Sequence, residues 1–157
     1  MCPEPVEPSE DGEVTSSGRI VIGRIVAEGG DSVHVKAGRV HVNGHALPTD
    51  SNCEEPTFSV NDPETENELT QRCSLEKIGA KLHEIGGAGP DTQLPLDYSP
   101  VEVNHGQVWL ASDNRMLPFD SRDYGALNLD DCKETVVFRL VSARGFFDVE
   151  SRLTLIR

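Results

Sequence analysis

The chain has 157 residues, with 14 Lys and Arg against 27 Asp and Glu, for a net charge of −13. That length holds one domain, or one domain with an excursion, and is enough to bury a core. So acidic a balance argues against nucleic acid and anionic membrane surfaces as partners, since both repel it.

In chain order, residues 1–18 carry three prolines, five acids and no base, and read as a flexible acidic lead-in. No basic start followed by an apolar core is seen there. No run approaches the roughly 18 apolar residues that cross a bilayer, so the chain as written shows neither a secretory signal nor a span. Arg19 to Ala27 is rich in β-branched residues and is predicted as one strand, broken by Glu28-Gly29-Gly30-Asp31. Ser32 to Lys36 and Arg39 to Asn43 are predicted as a hairpin across Ala37-Gly38, with Gly taking the unusual backbone angle. Alternation puts Val33, Val35, Val40 and Val42 on one face and sets His34 opposite His41 on the other. Two opposed histidines without a third ligand read as solvent-facing, and no metal site is expected.

Residues 46–99 read as an excursion. Thr57 to Val60 is a short strand; Leu69 to Leu75 and Lys81 to Ile85 are two more around Ile78-Gly79-Ala80. A helix over Glu66 to Lys77 is the alternative, but it lacks a clean apolar stripe. Gly86 to Pro90 is a turn-rich break. No Lys or Arg falls between Arg39 and Arg72, whereas seven acids do, which reads as a solvated acidic loop. Asp62 to Glu68 lacks the Gly that a calcium loop places at its bend. None of the four cysteines forms a Cys-x-x-Cys pair, so zinc is not expected. Cys53 and Cys73 bracket one segment and close a disulfide if the domain lies outside the cytoplasm; a reducing compartment leaves them as thiols.

Gln107 to Ala111 contains an apolar run and reads as a buried strand. It ends in Asp113, Arg115, Asp120 and Arg122, two acids and two bases in ten residues. By spacing alone this is either a solvated, salt-bridged surface loop or a compact loop that pairs the four charges among themselves, with Asn114 and Ser121 bonding the backbone. Asn128 to Cys132 suggests one helical turn. Thr135 to Val141 is predicted as a strong strand, and Gly145 to Val149 with Arg152 to Ile156 finish the sheet.

Ser112-Asp113-Asn114-Arg115, then Asp120-Ser121-Arg122, then Tyr124-Gly125 resembles the last motif of bacterial signal peptidase I, a membrane-anchored serine/lysine endopeptidase of the S26 class. That motif runs Gly-Asp-Asn-Arg, a short gap, Asp-Ser-Arg, one residue, an aromatic and Gly. A second block is similar to the strand that the family opens with its general-base Lys. Arg24-Ile25-Val26-Ala27-Glu28-Gly29-Gly30-Asp31 lines up with it, and Val40 to Gly44 supplies the hairpin end. The resemblance runs from about Arg19 to the end.

The departures fall on chemistry. The family's Lys position is Gly23, which has no side chain to accept a proton, and Arg24 stays protonated. The gap residue that is Ser in the family is Pro118, and the motif's opening Gly is Ser112. The family's nucleophile segment, of the type Ser-x-Met-x-Pro-Thr-Leu, does not occur before Arg19.

The resemblance implies an all-β, signal-peptidase-like antiparallel domain with little helix. Residues 19–45 and 100–157 form its core, and 46–99 form an inserted β-region. It implies structural roles for Arg24, Asp31, Asp113, Asn114, Arg115, Asp120, Ser121, Arg122 and Gly125. It also implies the outer, periplasmic face of the cytoplasmic membrane, reached only through an anchor that this chain does not contain, and no cofactor. The isolated chain is predicted not to cleave peptides. The alternatives are a binding module that takes an extended signal-peptide-like segment or a partner chain on the Arg19–Ala27 edge, and one part of a longer or split peptidase completed by an upstream segment.

Overall fold

Every strand pairing among the described residues is antiparallel. The computed structural model describes residues 1–4, 19–62, 65–89, 97–139 and 154–155. The predicted all-β class is observed, with one short helix and a 3-10 turn as the only helical elements among those residues.

The N-terminal half opens with β1 (Cys2–Pro3), β2 (Ile20–Val21), β3 (Arg24–Glu28), β4 (Ser32–Lys36), β5 (Arg39–Val42) and β6 (His45–Ala46). The single strand predicted over Arg19 to Ala27 is therefore two. β2 pairs with β1, while β3 pairs with β12 (Gln107–Ala111). The chain breaks at Ile22-Gly23, where Gly23 lies against Leu110 and Ala111 and a Cβ would stand 3.1 Å from the Leu110 Cβ. Nor are residues 1–18 all lead-in: Cys2–Pro3 is a paired strand, Cys2 is disulfide-bonded to Cys132, and the rest of that prediction, 5–18, lies outside the described residues.

β4 and β5 pair His34 with His41 and Val33 with Val42. Their turn has positive φ at both Ala37 (49°) and Gly38 (75°), so Ala37 shares the left-handed angle expected of Gly alone. Val33, Val35 and Val40 are fully buried and pack with Val26, Ala27, Val103, Trp109 and Ala111 into the main core. Tyr98 leans on Trp109 with ring centroids 6.1 Å apart.

Between the core strands, β7 (Thr49–Asp50), β8 (Thr57–Asn61), β9 (Glu68–Ile78) and β10 (Lys81–Gly87) form a sheet of their own around β9. The helix alternative over Glu66 to Lys77 is thus overturned. Pairing with β10 and β8 satisfies the β9 backbone, and no apolar stripe competes for it. β10 also runs two residues past Ile85 into the predicted Gly-rich break, and Ala88 and Gly89 leave the strand. Cys53 and Cys73 are bridged.

The chain returns to the core with β11 (Tyr98–Glu102) on β4 and then β12 between β3 and β13 (Leu127–Asn128). Helix α1 (Ser121–Tyr124) lies between β12 and β13, and a 3-10 turn covers Leu129–Asp131. Beneath β12 a second cluster gathers Cys2, Val21, Val108, Leu110 and Leu127. Within the strand predicted over Thr135 to Val141, Phe138–Arg139 form β14, paired with β15 (Thr154–Leu155), and Leu140 and Val141 lie outside the described residues. Glu134 to Val137 have β-branched residues but no neighbouring strand to pair with among the described residues, and propensity without a partner does not make a sheet. Gly145 to Val149 lie outside the described residues.

Candidate functional site

Three strands and one loop meet over Gly23. β12 delivers the chain into the loop 112–120, β3 runs beside it, and β10 of the inserted sheet crosses its far side. A β-bulge in the β3–β12 pairing leaves Val26 unpaired, so Ile25 stands opposite Leu110 rather than continuing the phase of Ala27 opposite Trp109. That shift aims Ile25, half-exposed, into a cleft of about 640 Å³. Gly23, Leu110, Ser112, Asp113, Lys81 and His83 line it, together with Cys132, Glu134, Thr135 and Val136.

The charged residues of the loop do not all pair with one another. Asp113 is gripped by Arg24, with Nε donating to Oδ1 at 2.7 Å and Nη2 to Oδ2 at 3.0 Å, which ties the loop to β3. Asp120 is fully buried and accepts from the Ser112 amide at 2.8 Å. It also accepts from the Arg122 amide and from Arg122 Nε and Nη2 at 3.0, 2.9 and 2.8 Å. It is thus at once the cap of α1 and the partner of Arg122, and Asp123 closes the capping box by accepting from the Asp120 amide. Ser121 Oγ accepts from the buried Leu110 amide at 2.9 Å. Asn114 Oδ1 takes the amides of Met116 and Leu117 and the side chain of Gln71. Gly125 ends α1 at φ 78°, an angle that other residues pay strain to adopt.

Arg115 goes elsewhere. Its Nη2 donates to Glu76 of β9, and both side chains are almost wholly buried. Its Nε and Nη1 find no partner among the described residues. His83, the cross-strand neighbour of Glu76, is also buried; its Nε2 is 3.3 Å from Glu76 Oε2 and 3.9 Å from Asp113 Oδ1. The inserted sheet is joined to the loop by backbone as well. Gly86 N donates to Asp113 O and Arg115 N to Gly86 O, and a Cβ on Gly86 would collide with Gln71 and Phe58. Sequence reasoning missed Glu76, His83 and Gln71. Nothing in their spacing separated them from the exposed acids and amides around them.

Asp31 belongs to a different network. It accepts from the Glu28 amide at 3.0 Å and from Asn43 Nδ2 at 2.7 Å, and these bonds hold its carboxyl below the ordinary range. Pro118 is not among the residues lining the cleft. Burial, then the nearby Asp120 and Asp123, push the Tyr124 hydroxyl well above the usual phenol range, so it stays protonated. Cys53, Cys73 and Glu84 are the one grouping of three metal-ligand side chains among the described residues, and both sulfurs there are spent in the disulfide. His34 and His41 stack face to face at 4.4 Å. No helix among the described residues is long and apolar enough to cross a membrane.

Residues 5–141 match the family model described as Signal peptidase, peptidase S26. The match begins before Arg19 and stops short of the chain's last residues, so its span differs at both ends from the motif-based resemblance. None of the curated proteins compared with the chain matches it.

Proposed function

The chain belongs to the S26 family of signal peptidases, and from that premise we propose that it is the peptide-holding part of such a peptidase, unable by itself to cut. The observation that carries this is the packing at Gly23. At the position where the family keeps its amine, the backbone sits so close to β12 that even a Cβ would stand 3.1 Å from Leu110 Cβ and 3.2 Å from the Ala111 carbonyl oxygen. A lysine is absent there, and the strand is packed in a way that leaves no easy room for one. The sequence also carries no serine in the family's nucleophile motif. The family's own Ser and Lys positions therefore supply no Ser–Lys pair.

Holding a peptide is supported by β3. Among the described residues it pairs with β12 alone, so, apart from Glu28, whose amide and carbonyl are bonded to Asp31, its outer edge is open to a further strand beside the cleft. An extended segment adding there gains main-chain hydrogen bonds and places alternate side chains over Ile25 and Leu110. The two disulfides favour an oxidising compartment, in keeping with the outer face of a membrane, where signal peptides emerge.

The test has two arms. A signal-peptide substrate incubated with the chain is followed by mass spectrometry; product above the buffer control overturns the non-cutting reading. Amide exchange is measured with and without the same peptide. Slowed exchange confined to Arg24–Glu28 supports edge pairing, and unchanged exchange at saturating peptide removes it.

A further inference from the structure

We infer that His83, on β10 of the inserted sheet, is the proton acceptor of the cleft. The observation is a buried imidazole that shares the cleft with Gly23 and makes no hydrogen bond through Nε2 among the described residues, while two carboxylates face that nitrogen. Glu76 is itself fixed by Arg115, and Asp113 by Arg24, so both acids are held in place before the imidazole is considered. Neither acid hydrogen-bonds Nε2, so they act on the ring through space, and a carboxylate beside an imidazole is the setting in which such a base takes a proton from a hydroxyl. The nitrogen assigned to accept the proton is Nδ1, the one that does not face the two acids. The base therefore reaches this cleft from a different strand than position 23.

The step balances without any group on Gly23. A hydroxyl oxygen attacks the carbonyl carbon of the bound chain as its proton passes to Nδ1, and the carbonyl π pair moves onto oxygen. When the tetrahedral intermediate collapses, C=O re-forms, the bond to the leaving group breaks, and the imidazolium returns its proton to the departing amine. For a peptide the hydroxyl belongs to a serine outside this chain, so the inference rests on the reading that this chain is one part of a peptidase. An activated ester needs no serine: water supplies the hydroxyl, and p-nitrophenolate leaves without taking a proton.

The experiment uses the whole oxidised chain and a p-nitrophenyl ester of a short N-acylated alanine peptide. The parent is expected to hydrolyse it above buffer, with saturation and a slower rate in D2O. His83→Gln loses about tenfold or more of that rate, and His41→Gln loses none. Because His83 is buried, the parent is also treated with diethyl pyrocarbonate and mapped by mass spectrometry. Loss of hydrolysis tracks carbethoxylation of His83, and a peptide in the cleft protects it. A parent no faster than buffer, a His83→Gln rate equal to the parent's, no solvent isotope effect, or inactivation while His83 stays unmodified each overturns the inference. Failure here leaves the peptide-holding reading standing, whereas cleavage of a signal peptide by the chain alone sinks that reading without touching His83.

Discussion

Replacing Glu76 by Gln tests whether the inserted sheet is bolted to the motif loop by charge. The amide keeps the shape of the carboxylate, so no cavity opens, and the loss is the charge facing Arg115. Arg115 is 1% exposed, and its Nε and Nη1 already lack partners among the described residues, so no spare acceptor nearby takes over. Stripping one partner from a buried pair costs about 3–5 kcal/mol. Gln retains one acceptor, which puts the expected loss near the low end, about 3 kcal/mol. For a chain of this size that lowers the melting temperature by about 6–12 °C. Urea unfolding of the oxidised protein reads the free energy, and calorimetry reads the temperature. A double change, Glu76→Leu with Arg115→Met, removes both charges and is expected to recover most of the loss, because an apolar pair carries no desolvation penalty. A Glu76→Gln loss below about 1 kcal/mol, the value of a solvent-screened pair, refutes the bolt, as does a double variant less stable than Glu76→Gln alone.

The remaining predictions concern the disulfides, Gly23 and the histidine pair. Cys2→Ser removes a link across 130 residues and Cys53→Ser one across 20. Chain entropy makes the first cost about 5 kcal/mol and the second about 3, so urea midpoints should fall in that order, and the reverse order contradicts the account. Gly23→Ala pushes a methyl against a buried Leu110 and a sheet carbonyl and is expected to destabilise by about 1 kcal/mol or more; a variant as stable as the parent shows that β12 yields and weakens the packing argument. Desolvation, then His34, Arg39 and Lys36, depress the His41 pKa. The unfolded state then binds a proton more readily than the folded one, so this stability is present above about pH 6.5 and fades as pH falls through the depressed folded value. His41→Gln should flatten the melting temperature between neutral pH and pH 5, and an unchanged slope counts against it.

The all-β class and the β4–β5 hairpin were legible because period-two alternation is a local signal. Val33, Val35 and Val40 announce their face without reference to the rest of the chain. The ion-pair partners were not legible, because pairing across sheets depends on topology. Nothing local in the sequence marks Glu76 as buried, and the close approach of Gly86 to Asn114 joins its sheet to the loop that carries Arg115. β10 inverts the usual rule: Leu82 is 57% exposed while His83 next to it is buried, so a hydrophobic reading of that strand points the wrong way. The Cys2–Cys132 link was hidden for a similar reason, since Cys2 stands in a segment whose composition reads as loose chain.

Apart from Asp113, which also faces His83, the charges that made the central stretch conspicuous are accounted for by bonds that hold the framework. Asp120 and Arg122 fasten α1 to Ser112, Arg24 and Asp113 fasten β3 to the loop, and Arg115 fastens the loop to β9. None of these bonds involves residue 23. A loop of this kind therefore marks the fold and leaves open whether it cuts. What decides cutting is the few groups that face the cleft and are free to exchange a proton. In the described structure the imidazole of His83 is the one held there by acids on two sides. The family's motif thus carries the framework, and the strand that the motif does not include carries the group on which the chemistry turns.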